Sequence, residues 1–405
     1  MTPSSAAAHT PAKHNGGPAL HKSPAGPRPS DSLSRDTLVR WLHDMMLIRE
    51  FEVRCAQAYQ QAKIGGFCHL YIGQEACAVA TINAINHDDP VVTAYRDHGH
   101  ALVRGMDPRA CMAEMFGKAT GCAKGKGGSM HMFDRPNWLF GGHGIVGAQT
   151  PLGTGLAFAA RYEWEVLGHS VNNERGEPVA YDDAGGPSPR LPAKKKVALC
   201  YLGDGALNQG ALHEAMNLAG LWSLPVIYIV ENNKYSMGTH IARGTTMAHN
   251  LEAKAAAYGI DALTINDDEG LDIVKLYDKF KPFADSCRER QRPGFVDLHT
   301  YRYQGHSMSD PQKYRTKEEV EKIKEGDSID VLAKRLLAGS PPMLSEEQFL
   351  AMQQEVKSIV AASVKFAEES PAPDAGELFT DVYANIEKNL SPAAPYSHGA
   401  KNPLL

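Results

Sequence analysis

The stretch "KVALCYLGDGALNQGALHEAMNLAGLWSLPVIYIVENN" at residues 196–233 decides the fold. It begins and ends with continuous apolar runs rich in Val, Ile, Leu and Tyr, which is typical of strands buried on both faces of a parallel sheet. Between them, apolar residues recur at the spacing of one helix face: Ala211, Ala215, Leu218, Ala219 and Trp222. The pattern predicts a βαβ unit, whose crossover brings the carboxyl ends of both strands to one edge of the sheet.

Polar residues follow both predicted strands. Asp204, between two glycines, follows the first strand, and Asn232 and Asn233 follow the second. Because open α/β sheets bind ligands at the carboxyl ends of their strands, these side chains should meet there. Carboxylate and amide oxygens suit Mg²⁺, which completes its shell with phosphate and water, and glycines let the backbone approach a phosphate. The motif predicts a Mg²⁺–diphosphate anchor; the alternative is that Asp204 only caps a helix and the asparagines only form a turn.

Composition excludes several classes of protein. The chain has 405 residues, with 43% hydrophobic and 22% charged residues, which is typical of a globular protein of one large or two ordinary domains. A net charge of −5 does not indicate a nucleic-acid partner. Apolar runs such as 224–230 are too short to span a membrane. The seven cysteines form no CxxC pair, which argues against structural zinc and indicates reduced thiols.

The chain divides into a disordered N-terminal tail at 1–33, one α/β domain at 34–390 and a C-terminal tail at 391–405. An amphipathic helix is predicted from Ser34 to about residue 62. The polar, Gly/Pro-rich stretch 168–196 predicts an exposed insertion. The N-terminus has no apolar segment typical of secretion, and its first arginine is Arg28, unlike an Arg-rich transit peptide. We therefore expect a bacterial cytoplasm, with a mitochondrial matrix as the alternative.

Further segments accompany the GDG…NN motif: "GFCHLYIGQEA" (66–76), "AYRDHGH" (94–100), "GCAKGKGGSMHMF" (121–133), "GHGIVGAQ" (142–149) and "YRYQGHSMSDP" (301–311). Over roughly residues 35–390 the chain resembles the alpha chains of the thiamine-diphosphate-dependent 2-oxoacid dehydrogenases, and of the pyruvate dehydrogenase first component in particular. The resemblance implies the thiamine-diphosphate-binding fold, an α/β fold with a central, mainly parallel sheet flanked by helices. It also implies thiamine diphosphate and Mg²⁺ as cofactors and pyruvate as the substrate.

The resemblance assigns a role to individual residues. The Mg²⁺ ligands would be Asp204, Asn233 and the carbonyl of Tyr235. The diphosphate would be held by Tyr95, Arg96, His306 and the amides of Gly205 and Ala206. The aminopyrimidine would be held by Gly144 and Val146, with Val146 bending the cofactor. The catalytic histidines would be His69, on the substrate side, and His306, on a loop over the diphosphate.

Physical chemistry agrees with these roles without requiring them. An arginine such as Arg96 can bind two phosphate oxygens at once, and the Tyr95 hydroxyl can add a hydrogen bond. A histidine can move a proton near pH 7, although an isolated one is more often an ordinary structural residue. The "GHGIVG" at 142–147 also matches the dinucleotide motif GxGxxG. No clear strand is predicted before it, which disfavours an NAD site.

The resemblance also implies partners. In this family a beta chain donates a glutamate to the cofactor across an interface, so this chain would hold half of an active site in an α2β2 heterotetramer. The acetyl group would pass to a lipoyl-bearing acyltransferase component. The alternatives are the alpha subunit of an acetoin or branched-chain 2-oxoacid dehydrogenase, or a non-catalytic subunit of the complex.

Ser307 corresponds to a regulatory phosphorylation site of mitochondrial relatives, where an added dianion would repel the diphosphate. Two other target serines of those relatives are missing: "DPQKYRT" lacks one before Tyr314, and His240 replaces another. We therefore expect no kinase control.

Overall fold

Six parallel strands form the central sheet of the computed structural model, which describes residues 28–167, 194–338 and 340–381 and the backbone at 180–181 and 187–188. Including two separate two-stranded sheets, β3-β4 and β7-β8, the strands of the described residues are β1 Val91–Ala94, β2 Leu139–His143, β3 Ala180–Tyr181, β4 Pro187–Ser188, β5 Ala198–Gly203, β6 Val226–Asn232, β7 Tyr235–Ser236, β8 Thr239–His240, β9 Asp261–Ile265 and β10 Gly294–His299. The sheet order is β2-β1-β5-β6-β10-β9, with every pair parallel. This confirms the predicted α/β fold with a central, mainly parallel sheet.

Helices flank the sheet on both faces. They are α1 Arg35–Gln60, α2 Glu75–Asn83, α3 His98–Val103, α4 Pro108–Met115, α5 Gln149–Tyr162, α6 Gly210–Trp222, α7 Ile241–Gly244, α8 Glu252–Ala256, α9 Asp267–Gly270, α10 Ile273–Arg290, α11 Lys317–Lys324, α12 Ser328–Leu337 and α13 Glu346–Glu369. The Ser34 side chain caps α1 by accepting a hydrogen bond from the Thr37 amide. The helix predicted from Ser34 is therefore confirmed.

The predicted βαβ unit is β5–α6–β6. Its two strands pair directly, with Gly203 at the end of β5 opposite Glu231 near the end of β6. Both strands are buried on both faces: Leu199 and Ile227 pack into the core formed with α1, α2 and α10, while Tyr228 packs on the opposite face with α5 and α6. The crossover thus places Asp204 and Asn233 at the same edge of the sheet.

The buried face of α6 differs from the prediction. The buried residues are Leu212, Ala215, Met216 and Ala219. Leu218 and Trp222, which were expected to face the core, are 36% and 50% exposed. The helix is apolar around much of its circumference, so its spacing fits two faces and only packing chooses between them. The exposed Trp222 instead lies beside Phe158 of α5, with 6.0 Å between the ring centroids.

Several predicted boundaries fall outside the described residues. The predicted tail 1–33 is described only from residue 28, where Pro29–Ser32 form a 3-10 helix and Ser30 donates two hydrogen bonds of 2.7 Å to Asp278. The insertion 168–196 lies outside the described residues except for the backbone of β3 and β4 and for 194–196. The tail 391–405 lies wholly outside them. Within the described part of the chain, every helix is too short or too polar to cross a bilayer.

Candidate active site

A cleft opens at the carboxyl ends of β1, β5 and β6. Its walls include the following residues predicted from the sequence: Tyr95, Arg96, Val146, Asp204, Gly205, Ala206, Asn233, Tyr235 and His306. They come from loops that are far apart in the sequence. The parallel sheet gathers them because each loop follows the carboxyl end of a strand or precedes a helix packed on it.

Two predicted site residues lie beside the cleft rather than on its wall. The His69 ring is 4.5 Å from the Tyr95 ring and 5.2 Å from the His306 ring, measured between centroids. Gly144 lies against His131, because a Cβ atom at this glycine would be 3.2 Å from His131 Cε1. The cleft therefore has the predicted diphosphate and metal residues in its wall and the predicted substrate histidine next to it.

A strand does precede the "GHGIVG" segment, so the expectation that none does is wrong. β2 runs directly into it and pairs in parallel with β1, from Leu139 opposite Val91 to His143 opposite Ala94. Adjacent glycines have weak strand propensity, but pairing with β1 compensates. Gly142 is needed for packing, since a Cβ there would lie 2.0 Å from the Asp97 carboxylate.

Asp204 is the least satisfied acceptor of the cleft. Its side chain is 2% exposed, and Oδ2 has no hydrogen-bond partner among the described residues. Burial raises the pKa of the carboxyl to about 6, and the nearby Arg302 partly offsets this. A Cβ on Gly205 would lie 2.3 Å from Ser236 Oγ, so the backbone here leaves no room for a side chain. An unpaired buried carboxylate oxygen beside a bare backbone turn fits a divalent cation that carries a phosphate group.

Arg302 is a wall residue to which the sequence analysis assigned no role. It is 1% exposed, and its Nη1 donates a hydrogen bond of 3.2 Å to Asn233 Oδ1, the predicted metal ligand. Its Nη2 donates to the Tyr314 hydroxyl at 3.0 Å. A guanidinium here adds positive charge to a site predicted to bind a diphosphate.

Other wall residues were also missed: Gln74, Gln149 and Glu231. The side-chain oxygens of both glutamines are buried without a partner within the residues that the structure covers. Each of these residues lies inside a segment that carried the resemblance or directly before the asparagine pair. Their position in a motif was therefore the available signal, but a role could be assigned only once the cleft was assembled.

Arg96 connects both histidine segments. Its Nη1 donates to the Leu70 carbonyl at 2.6 Å, and its Nη2 donates to the His306 carbonyl at 2.7 Å. Burial lowers the pKa of Arg96 to about 10, which still leaves it charged at neutral pH. The same guanidinium thus supplies charge to the cleft and holds the His306 loop against the segment that carries His69.

Both predicted catalytic histidines are neutral at pH 7. Burial, reinforced by the charge of Arg96, lowers the pKa of His69 to about 2 and that of His306 to about 4. Each ring can therefore donate one hydrogen bond and accept another. The His306 loop is held by Asp310, which accepts a hydrogen bond of 2.7 Å from the His306 amide.

The cleft encloses about 150 Å³. That is below the roughly 300–1,000 Å³ of pockets that bury a whole small ligand, so the described residues surround only part of a ligand of that size. Two larger cavities, of about 580 and 590 Å³, lie near Tyr303 and Trp138. Neither is lined by a site residue that was predicted from the sequence. We assign the site by its chemistry, because the smaller cleft combines an unpaired carboxylate oxygen with two buried arginines.

The serines of the "GHSMSDP" segment lie beside this loop. Ser307 Oγ and Ser309 Oγ are 3.0 Å apart and hydrogen-bonded to each other. The expectation that Ser307 is not under kinase control stays a prediction.

Comparison with known proteins places the chain among relatives. The model of a family described as Dehydrogenase E1 component matches residues 43–376. The chain is 46% identical over 349 residues to a protein of Rickettsia bellii, covering 86% of this chain and 96% of that one. It is 45% identical over 350 residues to a protein of Rickettsia felis (86% and 97%) and 43% identical over 350 residues to one of Rhizobium meliloti (86% and 90%). All three relatives are named "Pyruvate dehydrogenase E1 component subunit alpha".

Proposed function

Because the chain belongs to the Dehydrogenase E1 component family, we propose that it is the alpha subunit of a pyruvate dehydrogenase. The reaction is the thiamine-diphosphate-dependent oxidative decarboxylation of pyruvate, with transfer of the acetyl group to the lipoyl group of an acyltransferase component. The observation that carries the proposal is the buried, unpaired carboxylate oxygen of Asp204 at the edge of the sheet where Asn233 also ends. The names of the relatives favour pyruvate over acetoin or a branched-chain 2-oxoacid.

Thiamine diphosphate, when bound, supplies the carbanion chemistry that separates carbon dioxide from the substrate. The residues of this chain bind and orient it. Mg²⁺ is held by Asp204, Asn233 and the Tyr235 carbonyl. The diphosphate is held by Tyr95, Arg96, His306 and the amides of Gly205 and Ala206. Gly144 and Val146 hold the aminopyrimidine, and Val146, 39% exposed at the cleft, has room to contact it.

The two histidines are the catalytic groups of this chain, His69 on the substrate side and His306 on the loop over the diphosphate. His69 and His306 are neutral at pH 7 because burial lowers the pKa of both rings. A neutral imidazole can donate a hydrogen bond from one ring nitrogen to the keto oxygen of the substrate, and the low pKa of both rings favours this role over accepting a proton. The proximity of both rings to Tyr95 supports this assignment, since Tyr95 lies in the wall of the cleft.

The site needs a second chain. The small cleft supports an arrangement in which this chain anchors the diphosphate while a beta subunit covers the rest of the cofactor and donates the glutamate that faces its pyrimidine ring. The assembly is an α2β2 heterotetramer in a bacterial cytoplasm, consistent with relatives from Rickettsia and Rhizobium.

The test is turnover by this chain alone and after mixing with its beta partner, with thiamine diphosphate and Mg²⁺ present. Reduction of an artificial electron acceptor is followed with pyruvate, 2-oxoisovalerate and acetoin. We expect activity only in the mixture and highest with pyruvate. Activity of the chain alone would contradict the half-site, and a preference for another substrate would replace pyruvate. An Asp204→Ala variant that keeps full activity in the mixture would identify a non-catalytic subunit.

A further inference from the structure

The segment that carries His69 is tied down on both sides of Leu70. The His69 amide donates a hydrogen bond of 3.2 Å to Ser129 Oγ, and the Tyr71 amide donates one of 2.9 Å to Glu52 Oε1. Between them, the Leu70 carbonyl accepts the hydrogen bond from Arg96 Nη1. Three consecutive residues therefore bind three groups from separate elements of the fold.

His98 joins the two acceptors. Its Nδ1 is 3.0 Å from both carboxylate oxygens of Glu52, and its Nε2 is 2.9 Å from the Ser129 carbonyl and 3.0 Å from Ser129 Oγ. Glu52 and His98 are fully buried, and Ser129 is 3% exposed. Glu52, His98 and Ser129 form a continuous hydrogen-bonded chain, called the buried triad below, that begins and ends on amides of the His69 segment.

Donor and acceptor counting defines the charge state of the buried triad. A carbonyl oxygen can only accept, so His98 Nε2 donates to Ser129. Nδ1 lies 3.0 Å from both Glu52 oxygens, so a proton is also shared between Nδ1 and Glu52; with that proton on the ring, His98 is an imidazolium paired with the carboxylate. Burial alone lowers the pKa of His98, but the Glu52 carboxylate outweighs it and the pKa is raised.

We propose that Glu52, His98 and Ser129 are positioning residues, which hold His69 at the substrate side of the cleft in a fixed relation to Arg96. The proposal rests on the proposed function, in which His69 contacts the substrate and Arg96 the diphosphate. Neither Glu52 nor His98 lines the cleft, so they act through the backbone that they hold.

A stability role alone does not account for this arrangement. A buried ion pair contributes little net stability compared with apolar residues of the same volume. The buried triad instead accepts hydrogen bonds from the two amides that flank Leu70. The Leu70 carbonyl accepts from the Arg96 guanidinium, which also donates to the His306 carbonyl. The buried triad thus determines the spacing between His69 and Arg96, and its loss would displace His69 from the substrate that it contacts in the proposed function.

The test is a Ser129→Ala variant, which removes one buried hydroxyl and the acceptor of the His69 amide. The variant is assembled with the beta partner, thiamine diphosphate and Mg²⁺. We expect the KM for pyruvate to rise about five-fold, the change expected for loss of one buried hydrogen bond. The Kd for thiamine diphosphate should stay within about two-fold, because Ser129 does not line the diphosphate cleft.

Thr154→Ala is the matched control. Thr154 is also a buried hydroxyl, hydrogen-bonded to the Tyr228 hydroxyl at 2.6 Å, on α5 and away from His69. It should lower Tm without changing the KM for pyruvate. If both variants lower Tm and neither changes the KM, the buried triad is only structural and the proposal is wrong.

Two further variants separate this inference from the proposed function. Glu52→Gln keeps the shape of the side chain but removes the charge that holds the imidazolium, and should raise the KM at least as much as Ser129→Ala. If it does not fold, Ser129→Ala decides. His69→Gln measures the full contribution of His69: if it changes the KM but Ser129→Ala does not, only the inference fails, and if His69→Gln has no effect, the proposed role of His69 fails instead.

Discussion

Glu114 and Asp204 are both buried carboxylates beside glycine-rich turns, but their surroundings differ. Glu114 accepts four backbone hydrogen bonds from the loop 123–128, at 2.7 to 3.0 Å, two on each oxygen. Asp204 has one oxygen with no hydrogen-bond partner among the described residues. The first carboxylate has its full set of partners within the chain, and the second does not.

The difference separates a carboxylate whose hydrogen bonds are supplied by the chain from one that is predicted to bind a metal ion. Taking either group out of water has a free-energy cost, which only hydrogen bonds or opposite charge can offset. At Glu114 the chain itself offsets that cost, so the carboxylate shapes a loop. At Asp204 the charge of Arg302 offsets only part of that cost, and burial accordingly raises the pKa of this carboxyl to about 6.

The sharpest test of this contrast is Asp204→Asn. The substitution should weaken binding of thiamine diphosphate with Mg²⁺ by at least about 100-fold, which exceeds the usual effect of residues that only orient metal ligands. The Tm of the cofactor-free complex with the beta partner should stay the same or rise, because an uncompensated buried charge is removed. Calorimetric titration and thermal unfolding measure the two quantities. A lower Tm without cofactor would mean that Asp204 is a structural carboxylate after all.

Glu114→Gln should have the opposite profile. Its amide group would face two backbone N–H donors that it cannot accept, which costs about 3 kcal/mol of unfolding free energy. Tm should fall clearly, while cofactor affinity changes less than in Asp204→Asn. Glu355→Gln, at an exposed carboxylate of α13, is the control and should stay within about 0.5 kcal/mol. Equal Tm values for the two glutamine variants would contradict the role of the loop hydrogen bonds.

Gly205→Ala tests the bare turn next to Asp204. The added Cβ would lie 2.3 Å from Ser236 Oγ and 2.9 Å from Ser236 Cβ. We expect cofactor affinity to fall about 10-fold, roughly 1.4 kcal/mol, because the turn must shift. Gly155→Ala, on α5, should be neutral or slightly stabilising, because the described residues leave its Cβ position open. Adding Ser236→Gly to Gly205→Ala should restore affinity; if it does not, the steric explanation is wrong.

The smallest effect is expected at His299, a half-buried imidazole that faces two carboxylates. Its ring lies 3.4 Å from Asp267 and 3.3 Å from Asp297, and the hydrogen bond with Asp267 is the main cause that raises its pKa to about 9. The stabilisation is therefore fully present below about pH 6.5, the ordinary pKa, and is lost as the pH rises through 9. His299→Gln should therefore lower Tm at pH 6 and not at pH 10. The decrease should be only a few degrees, because solvent screens the charges of this half-exposed cluster. A Tm difference that grows with pH would contradict this assignment.

The sequence predicted the buried strands of the central sheet but missed one strand and one exposed helix face. Continuous apolar runs identified β5 and β6 correctly, because strands buried on both faces need no polar alternation. The pattern failed at β2, where glycines conceal a strand that exists through its pairing with β1. It also failed for α6, where Leu218 and Trp222 are exposed because an all-round apolar helix does not specify which side packs.

The residues of the cleft were predictable where a motif carries its own chemistry. Asp204 and Asn233 stand at strand ends, where topology alone brings them together. Arg302 was missed because nothing in its local sequence indicates that its guanidinium reaches Asn233 Oδ1. Gln74 and Gln149 were missed for the same reason, since their importance comes from a missing partner that only the assembled cleft defines.

The sequence by itself determined the α/β architecture, the location of the cleft and the identity of the side chains at strand ends, because these follow from local hydrophobic patterning and the handedness of βαβ crossovers. Only the tertiary structure decided which polar groups are satisfied and which are not. Satisfaction depends on distances and burial contributed by distant segments, as Glu114 and Asp204 demonstrate. That is why one buried carboxylate is part of the framework of the protein and the other keeps an oxygen without a hydrogen-bond partner among the described residues.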